Sequence, residues 1–281
     1  MTKIIEAYSF SKIESFIRCP SRFHKQYIIR LFPKKKALPL ALGACMAEGL
    51  KIFRKRGDFE EAQEAFVIQW EEDGKVLALR KEDDDLRSVE RGLEILGGYM
   101  EYYPEEPVEI VQPEIVFVED MGNFIFRGKI DAIFADGQGV SIVEDKTVSR
   151  LGPAWFRDLL GGWQVCWYMG IAKILGLFDT VKKNQTPRCT ANAIYIHQTN
   201  LRYEREMTIK SNRTLDNAMQ QLQNWVTTIR RAIEIDTFPM ANTDRCNQYN
   251  GCEYKRLCAT TDEKISEILI DTEFEYRKKR D

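Results

Sequence analysis

Two short runs that have the character of β-strands contain charged residues that could do chemistry. They lie in "RGKIDAIFADGQGVSIVEDKT", residues 127–147, and the charged side chains are Asp131, Glu144 and Lys146. A charge surrounded by Ile, Val and Phe is costly to desolvate unless it has a partner. Two explanations are open: these residues occupy solvated, outward positions of a hairpin, or the sheet holds a metal ion.

The spacing within "VEDKT" determines which side chains could share a site. Residues two apart in a strand share a face, so Glu144 and Lys146 point one way and Asp145 points the other. A hairpin register that sets Asp131 beside Glu144 would place two carboxylates and one ammonium at a single spot. Carboxylate oxygens suit Mg²⁺ or Mn²⁺, which would polarise a phosphate and lower the pKa of a bound water. Lys146 would hold that water or the charge that develops on phosphorus.

A following apolar stretch, "QVCWY", adds an amide and a phenol. Gln164 and Tyr168 are four residues apart, which places them on one face of a helix. Buried polar groups need hydrogen-bond partners. If this helix packs on the sheet that carries Glu144 and Lys146, the partner is the site itself or a phosphate backbone. A purely structural role for the pair is the alternative.

Three cysteines lie near the end of the chain in "CNQYNGCEYKRLC": Cys246, Cys252 and Cys258, each separated by five residues. With Cys19 as a fourth ligand, four thiolates would complete the shell of a [4Fe–4S] cluster or of zinc. The CxxC pairs typical of zinc sites are absent here, so the spacing favours iron–sulfur. The other cysteines lie in apolar stretches and are predicted to be ordinary core residues: Cys45, Cys166 and Cys189.

The composition of the chain limits the kinds of partner that it could bind. The chain has 281 residues, of which 44% are hydrophobic and 30% charged, with a net charge of −2. This predicts a soluble globular protein, and any nucleic-acid contact must come from local patches. The start of the sequence shows no signal peptide, which predicts a cytoplasmic protein. The apolar segment 159–178 is interrupted by Gln164 and Lys173, so it predicts a core helix and no membrane partner.

The elements that must position these residues follow from periodicity and turn signals. The order is helices, a hairpin-led sheet, a crossover helix, further strands and a long helix, which predicts an α/β or α+β fold with a mixed sheet. In the first part of the chain we predict a capping box at Ser11–Glu14, a helix that resumes over 21–32, and a basic loop at 33–39. A helix is predicted over 41–70, broken near Gly57 with Asp58 capping its second part, then a polar connection at 74–85 and a helix over 86–103. Further along, we predict a turn at Met121–Asn123 and a helix over 211–234.

Taken together, "GKID", "VEDKT" and "QVCWY" resemble the Asp, (D/E)xK and QxxxY motifs of the PD-(D/E)XK nuclease superfamily. The closest resemblance is to its RecB-type exonucleases, which include CRISPR-associated adaptation nucleases and phage nucleases. It covers nearly the whole chain and implies a restriction-endonuclease-like core, a central mixed sheet flanked by helices. It also implies residue roles: divalent-metal ligands Asp131, Glu144 and the backbone carbonyl of Asp145, a water-assisting Lys146, and Gln164 and Tyr168 supporting DNA or the site.

The same branch clamps an iron–sulfur cluster between one early cysteine and three late ones. The resemblance therefore implies a single nuclease domain over 1–281. Within it, 1–105 would be a helical insertion, 106–240 the nuclease core, and 241–281 a cysteine tail that closes onto Cys19. Such a clamp would restrict the unfolded chain as a crosslink does.

One position departs from the family pattern. RecB-type nucleases carry a histidine ligand in a stretch like G-x-x-x-H, and "LGACMAEGL" matches it with Gly43 in register but Ala47 in the histidine's place. Alanine cannot bind a metal, and natural divergence and an engineered replacement both fit. Glu48 is one step, about 100°, around the helix, and Glu114 is a second nearby carboxylate. Either is a candidate substitute ligand.

The sequence thus predicts a metal-dependent DNA exonuclease with a structural iron–sulfur cluster. The rival hypothesis is a nuclease-fold subunit that binds DNA or assembles with partners and has lost full metal ligation. Arg150, Trp155 and Arg157 are predicted to grip phosphates and stack a base of single-stranded DNA or duplex ends. A second copy of the chain, or recombination, CRISPR or phage proteins, are the protein partners that the resemblance allows.

Overall fold

The structure, a computed structural model, describes residues 7–74, 77–78, 87–104, 109–179, 186–196, 200–241, 246–247 and 251–278. Its α-helices are α1 (Phe10–Arg18), α2 (Pro20–Phe23), α3 (Leu38–Arg56), α4 (Phe59–Gly74), α5 (Val89–Tyr102), α6 (Pro153–Gly161), α7 (Trp163–Ile174), α8 (Asn212–Glu234), α9 (Lys255–Ala259) and α10 (Glu263–Glu273). A π-helical turn covers His24–Ile28 and a 3-10 turn covers Leu177–Asp179.

The strands are β1 (Ala7–Tyr8), β2 (Leu31–Pro33), β3 (Lys36–Ala37), β4 (Leu77–Ala78), β5 (Glu109–Gln112), β6 (Ile115–Asp120), β7 (Ile125–Ile130), β8 (Ala132–Asp136), β9 (Gly139–Val148), β10 (Arg188–Tyr195), β11 (Arg202–Ile209) and β12 (Phe274–Tyr276). The largest sheet has the order β11-β10-β9-β8-β5. Its β9–β10 pair is parallel and its other pairs are antiparallel, which confirms the predicted mixed sheet.

Contacts divide the chain into two compact units. The first consists of 1–35, 118–127 and 223–281, and the second of 36–117 and 128–222. The carboxylate, lysine and QxxxY motifs all belong to the second unit, and the cysteine motif belongs to the first. The division into one domain with three consecutive parts stays a prediction.

Several local predictions hold because the turn chemistry is unambiguous. Gly57 ends α3 with a φ of 67°, and the Asp58 carboxylate caps α4 by accepting the Glu61 N–H at 2.9 Å. The helix predicted over 86–103 is α5, and that over 211–234 is α8. Among the described residues, no helix combines the length and the apolar character that crossing a membrane requires. The segment 159–178 instead supplies the buried helix α7.

Other local predictions were wrong at the edges. The cap of α1 is Ser9, whose hydroxyl accepts the Lys12 N–H at 3.4 Å, so Ser11 lies inside the helix. The helix predicted over 21–32 passes through the π-helical turn into β2, which pairs with β12. The predicted basic loop contains β3, which pairs with β4. Of the polar connection at 74–85, residues 75–76 and 79–85 lie outside the described part of the chain.

Helices α3, α4 and α5 pack closely in the second unit and form an apolar core with residues of β10 and β11. A side chain at Gly49 would approach Leu96 to 2.6 Å, and one at Gly92 would approach Phe66 to 2.3 Å. Glycine therefore permits the close helix contacts that fix α3. The position of α3 matters because it is the helix that lies against β9.

Candidate active site

Strand β9 carries the site, and two helices hold its two faces. On one face, the Gln164 amide of α7 donates to Oε1 of Glu144 at 2.6 Å. On the other face, the Arg54 guanidinium of α3 pairs with Asp145. The predicted alternation, with Glu144 and Asp145 on opposite faces, is thereby confirmed. A residue from each helix reaches the same short run of the strand.

Asp131 stands between β7 and β8, which corrects the expectation that it lies within a strand. The β8–β9 register pairs Ala132 with Val143, so Asp131 comes next to Glu144 as predicted. Oδ2 of Asp131 accepts the Asp145 backbone N–H at 2.9 Å. Because this bond uses one oxygen, the other carboxylate oxygen of Asp131 is not consumed by it.

Desolvation and the neighbouring carboxylate of Glu144 raise the pKa of Asp131 to about 7. Two carboxylates brought together away from water resist being ionised at once. A cation between them would remove that penalty. The electrostatics of the pair therefore suit a bound metal ion better than an empty, doubly charged site.

Glu144 is 3% exposed and has two donors on the same oxygen. Both the Lys146 ammonium and the Gln164 amide donate to Oε1, so these bonds do not use Oε2. Burial alone would lower the pKa of Lys146, but the charges of Glu144 and Asp131 outweigh it and hold that pKa above its usual value. Lys146 is therefore a fixed positive charge beside two carboxylates.

Tyr168 completes this face from the next turn of α7. Burial, followed by the charge of Glu144, raises the pKa of its phenol, so the hydroxyl stays protonated. Its ring meets Phe117 edge-on at 5.6 Å. A side chain at Gly128 would come within 2.5 Å of Phe117 and 3.1 Å of the Tyr168 hydroxyl. The first residue of "GKID" must be glycine for this packing reason, which sequence reasoning did not identify.

Helix geometry places Ala47, which is half-buried, on the same side of α3 as Gly43 and Arg54. One turn before it, a side chain at Gly43 would meet the Thr147 hydroxyl at 3.4 Å, and two turns after it Arg54 bonds Asp145. Residues four and seven apart share a helix face. Ala47 is therefore placed toward β9 on the side of Asp145 and Thr147, and the methyl group of alanine offers no metal ligand.

The two carboxylates considered as substitutes are engaged by lysines. Glu48 pairs with Lys51 at 3.0 Å. Glu114 pairs with Lys129 at 2.8 Å and with Lys51 at 3.5 Å. Burial would raise the pKa of Glu114, but these lysines outweigh it and lower that pKa below its usual value. Recruiting either carboxylate to a metal would break ion pairs, so neither is a ready replacement.

The side chains of the site offer carboxylate oxygens, the donor type that hard divalent cations prefer. Within the described ranges, no three His, Cys, Asp or Glu side chains form a group that could hold a metal ion. The metal ligands Asp131, Glu144 and the Asp145 carbonyl therefore stay a prediction. Each carboxylate keeps an oxygen outside the hydrogen bonds described above, and oxygen donors suit Mg²⁺ or Mn²⁺.

The segments that carry the cysteines meet in the first unit. Cys19 ends α1 and precedes α2, and the guanidinium of Arg22 in α2 pairs with Glu253 at 2.9 Å. The Cys252 N–H donates to the Cys246 carbonyl at 2.9 Å. Burial raises the pKa of the Cys252 thiol to about 11, and the charge of the neighbouring Glu253 adds to this effect.

The four sulfurs do not form a shell in the described part of the chain, since no three cysteines make a metal-holding group there. The cluster therefore stays a prediction. The other cysteines are buried, as expected of core residues: Cys45, Cys166 and Cys189.

The residues predicted to grip DNA lie beyond the end of β9 and on α6. Arg150 is exposed, and the side chain of Arg157 is 78% exposed. Trp155 is half-buried and meets Phe156 edge-on at 4.8 Å. Their role in DNA binding stays a prediction.

Comparison with known proteins relates this arrangement to one family. The sequence matches the model of the PD-(D/E)XK nuclease superfamily over residues 7–259. The fold is similar to that of the "Putative exonuclease" from Eubacterium rectale, with a TM-score of 0.54 and 13% identity over 95% of this chain and 93% of that one. The likeness to the protein SSO0001 is weaker, with a TM-score of 0.37 and 11% identity over 92% of this chain and 88% of that one. No curated protein matches the chain.

Proposed function

Because the chain belongs to the PD-(D/E)XK nuclease superfamily, we propose that it is a divalent-metal-dependent nuclease that hydrolyses phosphodiester bonds in DNA. The observation that supports this most is the convergence on one face of β9. There the Glu144 carboxylate accepts bonds from Lys146 and Gln164, and Asp131 lies alongside. The alternative explanation, that these residues occupy solvated positions of a hairpin, does not account for a glutamate whose exposed fraction is 3%.

In this proposal Asp131, Glu144 and the Asp145 carbonyl hold Mg²⁺ or Mn²⁺, which polarises the phosphate and activates water when bound. Lys146, kept protonated by its carboxylate neighbours, orients the attacking water and balances charge on the phosphate. Gln164 fixes the rotamer of Glu144 through its 2.6 Å bond. Tyr168, a neutral phenol, supplies a hydroxyl beside the same carboxylates.

We propose an exonuclease mode on DNA ends, with Arg150 and Arg157 gripping phosphates and Trp155 stacking a base. The similar Eubacterium rectale structure is named an exonuclease, and the likeness to it is one of fold. The exposed guanidinium of Arg157 and the half-buried indole of Trp155 suit contact with a strand rather than a core role.

We also propose that Cys19, Cys246, Cys252 and Cys258 bind a [4Fe–4S] cluster, with zinc as the alternative metal. Support comes from the Arg22–Glu253 pair, which brings the segment after Cys19 to the late cysteines. The role of the cluster would be structural, because metal binding by unassembled ligands contributes directly to folding free energy.

The rival function, a DNA-binding or assembly subunit without catalysis, has one observation in its favour. Ala47 stands where the resemblance to RecB-type nucleases implies a histidine ligand, and the carboxylates of Glu48 and Glu114 are paired with lysines. Loss of one ligand lowers the affinity for the metal ion and leaves the position of the ion less fixed. Cleavage would then be slow, because phosphoryl transfer depends mainly on positioning.

One assay distinguishes the two functions. End-labelled single- and double-stranded DNA are incubated with the chain and Mg²⁺, Mn²⁺ or a chelator, beside the matched variant Glu144→Gln. The nuclease proposal expects metal-dependent products that this variant does not make, with DNA binding unchanged. DNA retained without cleavage under every metal condition would support the binding subunit instead.

A further inference from the structure

A buried ion pair lies directly behind the candidate site. The guanidinium of Arg54 contacts both carboxylate oxygens of Asp145, at 2.5 Å and 2.8 Å. The two side chains are 1% and 9% exposed. Taking two charges out of water is expensive, and a well-packed apolar pair would often be equally stable or more stable. The pair therefore calls for an explanation other than stability.

The ion pair is part of a longer polar network. Asn192 of β10, fully buried, donates to Asp145 at 2.7 Å and stands opposite it in the parallel register. The Arg205 guanidinium of β11 donates to the Asn192 side-chain carbonyl at 3.2 Å and to the Tyr99 hydroxyl at 2.6 Å. Three strands and two helices thus fix one carboxylate that faces away from the site.

By holding the Asp145 side chain, this network also fixes the Asp145 backbone, and two groups of that backbone face the candidate site. Its N–H donates to Asp131 at 2.9 Å and so orients one proposed metal ligand. Its carbonyl is itself the proposed third ligand. Small rotations of this strand segment would therefore displace two of the three ligands together.

We propose that Arg54 and Asn192 are positioning residues: by clamping the Asp145 side chain from behind the sheet, they fix the Asp145 peptide and thereby set the metal affinity of the site. The effect on metal affinity rests on the proposed function, whereas the immobilisation of the Asp145 peptide is independent of it.

The same sheet offers a matched control. Arg188, with a side chain 5% exposed, pairs with Asp136 at 2.8 Å and donates to the Gly139 carbonyl at 2.6 Å. It is a buried arginine in an ion pair, but Gly139 lies six residues before Asp145 on β9, about 20 Å away at the rise of a strand. Loss of this pair tests what general damage to the sheet does.

The experiment compares four forms of the full chain: the parent, Arg54→Lys, the apolar double variant Arg54→Met with Asp145→Leu, and Arg188→Met. Removing one partner alone would leave a buried charge unpaired and endanger folding. The double variant avoids this, and Arg54→Lys keeps the charge while losing the two-pronged contact. Calorimetry gives the Mn²⁺ dissociation constant, hydrogen exchange follows the Asp145 amide, and thermal melting reports the fold.

We expect the double variant to bind Mn²⁺ roughly 10–100-fold more weakly than the parent, the range typical for the loss of residues that support metal ligands. The Mn²⁺ affinity of Arg54→Lys should lie between those of the parent and the double variant. Exchange at the Asp145 amide should rise in the same order. Arg188→Met should lower the melting temperature and leave both quantities unchanged. An unchanged exchange rate or an unchanged Mn²⁺ affinity in a folded double variant would overturn the inference, and so would an equal loss in Arg188→Met.

The result for the parent separates this inference from the proposed function. If the parent itself binds no Mn²⁺, the metal-dependent function fails, and hydrogen exchange alone then decides whether the network fixes the peptide. In that case faster exchange at Asp145 supports the positioning role, and unchanged exchange overturns it.

Discussion

The carboxylate site and the cysteine segment differ in how far the polypeptide assembles them without a ligand. Around Glu144, hydrogen bonds from Lys146, Gln164 and the Asp145 backbone already set the side chains in place. Around Cys252, backbone hydrogen bonds and the Arg22–Glu253 ion pair hold the chain, and the four sulfurs do not form a metal-holding group. In the first region hydrogen bonds hold the side chains that we propose as metal ligands, whereas in the second region we propose that the metal brings the cysteines together.

The contrast follows from the neighbours of each ligand. Carboxylates accept strong hydrogen bonds, so a sheet and two helices can hold them with other side chains. Thiols are weak hydrogen-bond partners and are fixed mainly by the metal, which couples metal binding to folding. The comparison therefore predicts separate consequences: damage to the first region affects chemistry, and damage to the second affects stability.

The largest effect should come from Asp131→Asn, which keeps the shape of the side chain and removes its charge. We expect metal-dependent cleavage to fall by about a hundred- to a thousandfold, on the scale of lost electrostatic stabilisation at reacting centres. The melting temperature should rise or stay constant, because a strained carboxylate with a pKa of about 7 is removed. Initial rates on end-labelled DNA and a thermal melt measure the two. Normal cleavage by Asp131→Asn would place the chemistry elsewhere.

A smaller effect on cleavage, but a large one on stability, should follow Cys252→Ser. Protein purified without oxygen should be brown with about four irons per chain, the content of a cubane cluster. The variant should lose iron and melt at lower temperature, yet cleave within tenfold of the parent where it remains folded.

The matched control for this test is Cys189→Ala, a buried cysteine of the second unit. It should retain the iron content of the parent. Stoichiometric zinc in the parent, or full iron retention in Cys252→Ser, would contradict the cluster assignment.

The smallest effect should come from Trp155→Ala, which leaves both regions intact. Loss of one stacked base should weaken DNA binding by about 1–3 kcal/mol, with the maximal cleavage rate preserved. Fluorescence anisotropy of a labelled single strand measures the affinity. The control variant is Trp163→Ala, which removes another partly exposed tryptophan, on α7. Equal losses in the two variants would remove the specific role of Trp155.

The sequence predicted the face of β9 well, because alternation in a strand and spacing in a helix are fixed by geometry. Glu144 and Lys146 share a face, Gln164 reaches them, and Asp131 is adjacent in register. What it missed are contacts between distant segments. Nothing in the sequence links Arg54 to Asp145, 91 residues away.

The misplaced boundaries have physical reasons as well. The expectation that Asp131 lies within a strand failed because the alternating pattern continues through this residue, where β7 ends and β8 begins. Ser11 has the spacing of a capping box, but Ser9 is the residue that adopts the extended conformation of a cap. The packing need for Gly128 arises from Phe117 and Tyr168, which only the fold brings together.

The central claim, that Asp131, Glu144 and Lys146 form a metal-dependent nuclease site one ligand short, is tested most directly by restoring that ligand. Cleavage by Ala47→His is measured across a range of Mn²⁺ concentrations, beside the parent and beside the double variant Ala47→His with Glu144→Gln. We expect histidine to raise cleavage at limiting Mn²⁺ by roughly 10–100-fold, and Glu144→Gln to abolish the gain. A parent that already cleaves fully at low Mn²⁺, or a double variant that cleaves as well as Ala47→His, would contradict the claim.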